Sequence, residues 1–135
     1  LFDEDPNGER AGSAYVFEDT DGSWAQQVKL IAEDGDSRDS FGFSMALSSD
    51  GITALVGASG DEDPNGEAAG SAYVFNATDG AWTQQAKLVP EDGDSRDRFG
   101  ASAGLSGDGT TALIGALFDE DPNGERAGSA YVFDL

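Results

Sequence analysis

Cysteine and histidine are both absent from this chain. Their absence removes disulfides, thiol nucleophiles, zinc-finger sites and every histidine-based catalytic triad at once. It does not fix the compartment, because disulfides are optional outside the cell. Cations are scarce as well: 7 Lys+Arg stand against 27 Asp+Glu, for a formal net charge of −20, and the lysines are Lys29 and Lys87 alone. Phosphate contacts need clusters of Lys or Arg, so nucleic acid is not an expected partner, and attraction to anionic membrane surfaces fails for the same reason. No apolar run approaches the roughly 20 residues of a membrane span, so membrane insertion is not expected. No signal peptide opens the chain, which starts at Leu1, and it reads as a mature, processed or excised piece.

What is abundant is negative charge. Such a surface repels itself in ordinary water. High salt relieves the repulsion by shortening the Debye length, and divalent cations relieve it by sitting between carboxylates. Many acids with few lysines resemble the surfaces of proteins from salt-loving organisms, so halophilic behaviour is expected.

The acids are also periodic. The segment "DEDPNGE" begins at Asp3, Asp61 and Asp119, 58 residues apart each time (61 − 3 and 119 − 61). The segment from Trp24 to Gly42 aligns with that from Trp82 to Gly100, and residues 1–17 recur unchanged as residues 117–133. Fixed-period similarity of this kind marks a repeat architecture.

Each repeat holds four strand-like runs separated by turn signals. The first is Phe41–Ser49, matched by Phe99–Gly107, in which Phe43, Met45 and Leu47 alternate with Ser44, Ala46 and Ser48. The second, Ile52–Ala58, is nearly continuously apolar, as in a strand covered on both faces. An Asp-Gly pair (Asp50-Gly51, Asp108-Gly109) joins the two as an expected two-residue hairpin loop. The third run is Gly70–Phe75, and "TDG" turns it into the fourth, Trp82–Val89, which alternates apolar residues with Gln and Lys. No helical period is sustained.

Four antiparallel strands per repeat describe a β-propeller blade, with a solenoid of stacked sheets as the alternative. The expected fold is therefore all-β. The chain 1–135 is a partial β-propeller of about two and a third blades (135/58). Residues 1–40 supply the third and fourth strands of one blade, 41–98 a complete blade, and 99–135 the first three strands of a further one. Such a chain cannot close a ring, and open strand edges template association. Completion is expected from a homo-oligomer or from the remaining blades of a longer chain.

In the acidic loop, oxygen-bearing residues alternate: Asp3, Asp5, Asn7 and Glu9; Asp61, Asp63, Asn65 and Glu67; Asp119, Asp121, Asn123 and Glu125. Calcium takes six to eight oxygen ligands, and the EF-hand loop begins with the same spacing and a Gly at position 6. The loop lacks that motif's distant bidentate Glu and carries a Pro at position 4. These twelve residues are candidate Ca²⁺ ligands. The alternative is a turn in which Asp and Asn cap backbone N–H groups and Gly supplies a positive φ. A second acidic stretch, Glu33–Asp39 and Glu91–Asp97, offers Asp34, Asp36 and Asp39 to a cation, but reads rather as a solvated loop between blades, with Arg38 or Arg96 available to pair its carboxylates. Trp24 and Trp82 read as packing between blades, and Asn76-Ala77-Thr78 as a glycosylation acceptor in a turn. No acid is singled out as catalytic, because every acidic motif is repeated whereas a catalytic pair occurs once per site.

Phe-Gly (Phe41-Gly42, Phe99-Gly100), Gly-Ala (Gly57-Ala58, Gly115-Ala116), the acidic loop, "GSAYVF", "W-x-Q-Q-x-K-L" and "DG…D-x-FG" occur in that order. In this combination the chain resembles the FG-GAP repeats of seven-bladed propellers, which include the integrin α head, and is most similar to their bacterial and archaeal variety. The usual Pro after Gly-Ala is replaced here by Ser59 and Leu117. The integrin-type calcium loop is shortened to a hairpin, so that metal site does not carry over. The resemblance implies a non-enzymatic, extracellular module for cell-surface structure, adhesion, or protein or glycan binding. A self-assembling ring or filament module is the alternative expectation, and an accessory domain of a carbohydrate-active enzyme a weaker one.

Overall fold

A computed structural model of the chain describes residues 8–119 and 126–135. Among them lie nine strands and no helix: β1 (Ala14–Thr20), β2 (Ser23–Leu30), β3 (Phe41–Leu47), β4 (Thr53–Ala58), β5 (Ser71–Thr78), β6 (Ala81–Leu88), β7 (Phe99–Leu105), β8 (Thr111–Ala116) and β9 (Ser129–Asp134). They form three antiparallel sheets in the orders β1-β2, β3-β4-β5-β6 and β7-β8-β9. The result is an open, incomplete propeller of blades.

The cores lie between successive sheets rather than within any one of them. Phe41, Val56, Tyr73 and Phe75 of the middle sheet face Ala14 and Leu30 of the first. On its other face, Leu55, Ala72 and Val74 meet Phe99, Ala112 and Ile114 of the third. This explains why β4 is apolar along its length: it is covered on both sides. Within a blade, the Phe of Phe-Gly wedges between two aromatic rings of the "YVF" strand. Phe41 lies 5.5 Å from Tyr73 and 5.9 Å from Phe75, and Phe99 lies 5.6 Å from Tyr131 and 5.9 Å from Phe133, all edge-on. That geometry suits the ring quadrupoles.

The Gly of Phe-Gly is required by how closely blades approach. Gly42 and Gly100 hold φ of 89° and 90°. A Cβ on Gly42 would press on the Ser13 carbonyl, and one on Gly57 would overlap the Gly100 carbonyl of the next sheet. Backbone bonds tie the same junctions: Phe41 N–H donates to the Ala11 carbonyl and Phe99 N–H to the Ala69 carbonyl, both at 2.8 Å.

The Asp-Gly turns are of two kinds, and the Asp50-Gly51 loop differs from the two-residue hairpin expected. Asp21-Gly22 (φ 52° and 83°) and Asp79-Gly80 (52° and 81°) both place two left-handed residues in tight turns. The Asp50-Gly51 loop is wider, because Ser48 N–H bonds the Thr53 carbonyl at 2.9 Å and leaves four residues between. There Asp50 stays out of the left-handed region, and its Oδ1 accepts the Ile52 N–H at 3.1 Å and the Ser48 hydroxyl at 2.6 Å. Strand β5 also runs through Thr78, so Asn76-Ala77-Thr78 lies in paired strand and not in a turn. The pairing extends because the Asp79-Gly80 turn is tight enough to hold it.

Candidate functional site

The acidic loops gather at one end of the blades, where three segments distant in sequence meet. Asp61, buried between β4 and β5, is fixed by its own backbone: its carbonyl accepts the Gly70 N–H at 3.1 Å. Its Oδ2 accepts the Ser71 hydroxyl at 2.5 Å, lies 3.2 Å from the Tyr73 hydroxyl, and pairs with Lys87 Nζ at 2.7 Å. The same lysine reaches Asp34 Oδ2 of the preceding blade's loop at 2.6 Å, while the Tyr73 hydroxyl donates to Asp34 Oδ1 at 2.8 Å. Strand register sets this up, since Tyr73 and Lys87 are cross-strand partners and Nζ sits 5.4 Å above the ring.

The charges are tuned accordingly. Burial opposes the Lys87 ammonium, yet hydrogen bonds to Asp34 and Asp61 hold its pKa above the usual value. Asp34 lies below its ordinary value, because bonds from Lys87 and Tyr73 outweigh burial. The Tyr73 phenol is pushed up by burial and then by the two carboxylates. Asp39, also buried, is raised to about 7, by burial first and then by Asp61 and Asp36, although it accepts the Asp36 N–H at 2.6 Å. The next blade repeats the arrangement: the Tyr131 hydroxyl lies 2.9 Å from Asp92 and 3.0 Å from Asp119.

Of the candidate calcium ligands, Asp3, Asp5, Asn7, Asp121, Asn123 and Glu125 lie outside the described residues. Among the described ones, Asp61 and Asp63 share the Ser71 hydroxyl, at 2.5 and 3.3 Å. Asp63 Oδ1 accepts the Asn65 N–H at 2.7 Å, the Asn65 side chain donates to the Pro90 carbonyl at 3.0 Å, and the Glu67 carbonyl accepts the Arg96 N–H at 2.8 Å. Gly66 holds φ 123°. The Asp63–Asn65 bond is that of a capped turn, and the other two tie the loop to the segment from Pro90 to Arg96. No group of three or more acids is arranged to hold a metal ion among the described residues. A calcium ion at Asp61 would compete with Lys87 for one oxygen. Asp34, read as a solvated acid, takes its cation from Lys87, 53 residues away.

One feature escaped the sequence reading. All five arginines (the 7 Lys+Arg less the two lysines) are left-handed: Arg10 at φ 62°, Arg38 at 77°, Arg96 at 72°, Arg98 at 61° and Arg126 at 61°. Such backbone is uncommon for a residue with a Cβ and is strained by about 1 kcal/mol or more at each position. The same five line two polar clefts beside the acidic loops, of about 640 and 550 Å³. Arg96, Arg98 and Arg126 face the first with Phe118, and Arg10, Arg38 and Arg98 face the second with Phe43. Carboxylates of Glu67, Asp94 and Asp97 share the first cleft, so it is close to charge balance in a chain that is strongly anionic. A signal was present: Arg10 and Arg126 directly precede "AGS", and Arg38, Arg96 and Arg98 lie within three residues of "FG". Trp82 packs between sheets as expected, whereas Trp24, with no sheet against its face, is 71% exposed.

A family profile described as FG-GAP repeat matches residues 24–75 and 82–133. No curated protein matches the chain.

Proposed function

Because the chain belongs to the FG-GAP repeat family, whose repeats are generally non-enzymatic and typically extracellular, we propose that it is a non-enzymatic propeller segment of a cell surface. Its clefts between blades hold a polar ligand, and we take an acidic glycan as the best fit. The observation that carries this reading is the gathering of all five arginines around two clefts, at left-handed positions that the repeat also imposes on Ser40 and Ala68. Guanidinium forks bind carboxylates in bidentate fashion, and the neighbouring acids accept from sugar hydroxyls. Exposed Phe43 and Phe118 offer each cleft an apolar ring face. High salt screens the long-range repulsion between the anionic chain and such a ligand, while short, direct contacts survive.

Calorimetric titration with a polyuronate in molar NaCl tests this. Binding that weakens in the Arg38→Gly and Arg96→Gly variants supports it. Binding unaffected by both variants, or no binding at all, refutes the glycan assignment.

A second reading is calcium held by Asp61, Asp63, Asn65 and Glu67, which rests on the spacing of the loop oxygens. It requires Asp61 to exchange Lys87 for the ion. Ca²⁺ added in the same buffer should then raise the melting temperature, and an unchanged melt leaves the loop a capped turn.

A further inference from the structure

The two polar clefts share a wall. Glu67, Ala68 and Arg98 line both of them. That wall is stitched from two segments distant in sequence: Arg96 N–H donates to the Glu67 carbonyl at 2.8 Å, and Arg98 N–H to the Ala68 carbonyl at 3.3 Å. The preceding junction is stitched in the same way, by Arg38 N–H to the Glu9 carbonyl at 2.9 Å and Ser40 N–H to the Arg10 carbonyl at 3.2 Å. The clefts therefore recur with the repeat on a backbone held by hydrogen bonds. Sheets packed face to face lie about 10 Å apart, which puts neighbouring clefts within reach of one short polymer.

At this wall the side chains break the repeat while the backbone keeps it. Positions 40 and 98 are equivalent (98 − 40 = 58) and both left-handed, at φ 59° and 61°, yet one is Ser and the other Arg. Positions 10, 68 and 126 (68 − 10 and 126 − 68) are likewise left-handed, at 62°, 53° and 61°, and read Arg, Ala, Arg. The backbone demands neither change, since the same conformation holds either residue. Both changes act on the wall instead. Ala68 keeps it short where the flanking repeats carry an arginine, and half-buried Arg98 gives it a guanidinium that lines both clefts. Among the described residues, Arg38, Arg96 and Arg98 form no ion pair, although the chain carries a net charge of −20.

We infer that the two clefts form one groove, which takes a single linear glycan with carboxylates along its length, Arg98 being the contact common to both halves. This rests on the acidic-glycan reading and adds the polymer to it: a chain of uronates laid across the wall, not a lone acidic sugar in each cleft. Arg38 lies in one cleft only and Arg96 in the other only, so each half has a guanidinium of its own beside the shared one. Each fork can take a carboxylate in bidentate fashion. Once one half of the chain is bound, binding of the other half is intramolecular. Linkage of this kind strengthens binding by about 10²–10⁴-fold with no new type of contact.

Calorimetric titration with size-fractionated oligogalacturonates in molar NaCl tests the groove. Short oligomers should bind two per chain. Oligomers long enough to cross the wall should bind one per chain and at least about tenfold more tightly. Arg38→Gly and Arg96→Gly should each weaken binding of the same long oligomer while the ratio stays at one per chain, glycine being at home at both φ values. Arg98→Ser, which copies Ser40 of the preceding repeat and so suits the backbone, should cut the gain with length; a gain that survives it overturns the role of Arg98. Two oligomers per chain at every length, with each glycine substitution deleting one site, overturns the groove and leaves the acidic-glycan reading standing. So does one oligomer per chain at every length with one of those substitutions silent. No binding at any length removes that reading, and the groove with it.

Discussion

The middle sheet and the two terminal sheets carry nearly the same residues in different settings. Tyr73 is buried between blades, held by Asp34, Asp61 and Lys87. Tyr15, with the same neighbours in sequence, is exposed, and Tyr131 has its two carboxylates but, among the described residues, no ion pair beside them like that of Lys87. The difference shows that a blade of this kind is not a folding unit with its own core. It supplies half of two cores, and a residue's worth is set by whether a neighbouring sheet is present.

Equivalent substitutions break the comparison most sharply. Lys87→Met strands the buried Asp61 carboxylate without its cation and should destabilise by about 3–5 kcal/mol, whereas Lys29→Met, beside exposed Tyr15, should cost under about 1 kcal/mol. Leu55→Ala should cost about 2–4 kcal/mol in chemical denaturation, and Leu113→Ala, its exposed equivalent, less than about 0.5 kcal/mol in the monomer. Equal losses within either pair would contradict the account.

A smaller effect depends on pH. Asp39 has a folded pKa of about 7 against an ordinary 3.8. The folded state therefore binds its proton more tightly, and this contribution to stability is full below about pH 4 and lost as pH rises through 7. Asp39→Asn keeps an acceptor for the Asp36 N–H and removes the titration. Melting curves should show the variant gaining on the parent between pH 5 and 8 and matching it near pH 4. A constant difference would show that burial does not perturb this carboxyl. Smallest of all, Arg96→Gly should stabilise by about 0.5–1 kcal/mol by releasing left-handed strain, even as it removes a cleft guanidinium. A loss of stability would make Arg96 a structural residue instead.

Much of the fold was legible because the chain states it repeatedly. The period, the strand order and the Phe-Gly and Gly-Ala positions all follow from aligned copies. The Asp50-Gly51 loop was misread because an Asp side chain that bonds Ile52 N–H favours a wider loop over a two-residue turn. Asn76 was assigned to a turn because strand pairing past Phe75 leaves no mark in composition. The Asp34–Lys87 pair was invisible, since its partners meet only when one blade stacks on the next. The arginines were missed because Arg is not a residue from which positive φ is expected; their confinement to two short contexts was the readable trace.

The central claim is that, among the described residues, the repeated strand is paired on both edges and covered on both faces only in the middle sheet. Amide hydrogen exchange of the Ala-Tyr-Val-Phe segments in β1, β5 and β9, at a concentration low enough to hold the monomer, tests it most directly. The account predicts slow exchange in β5 and faster exchange in β1 and β9. Equal protection of all three segments in the monomer would contradict it.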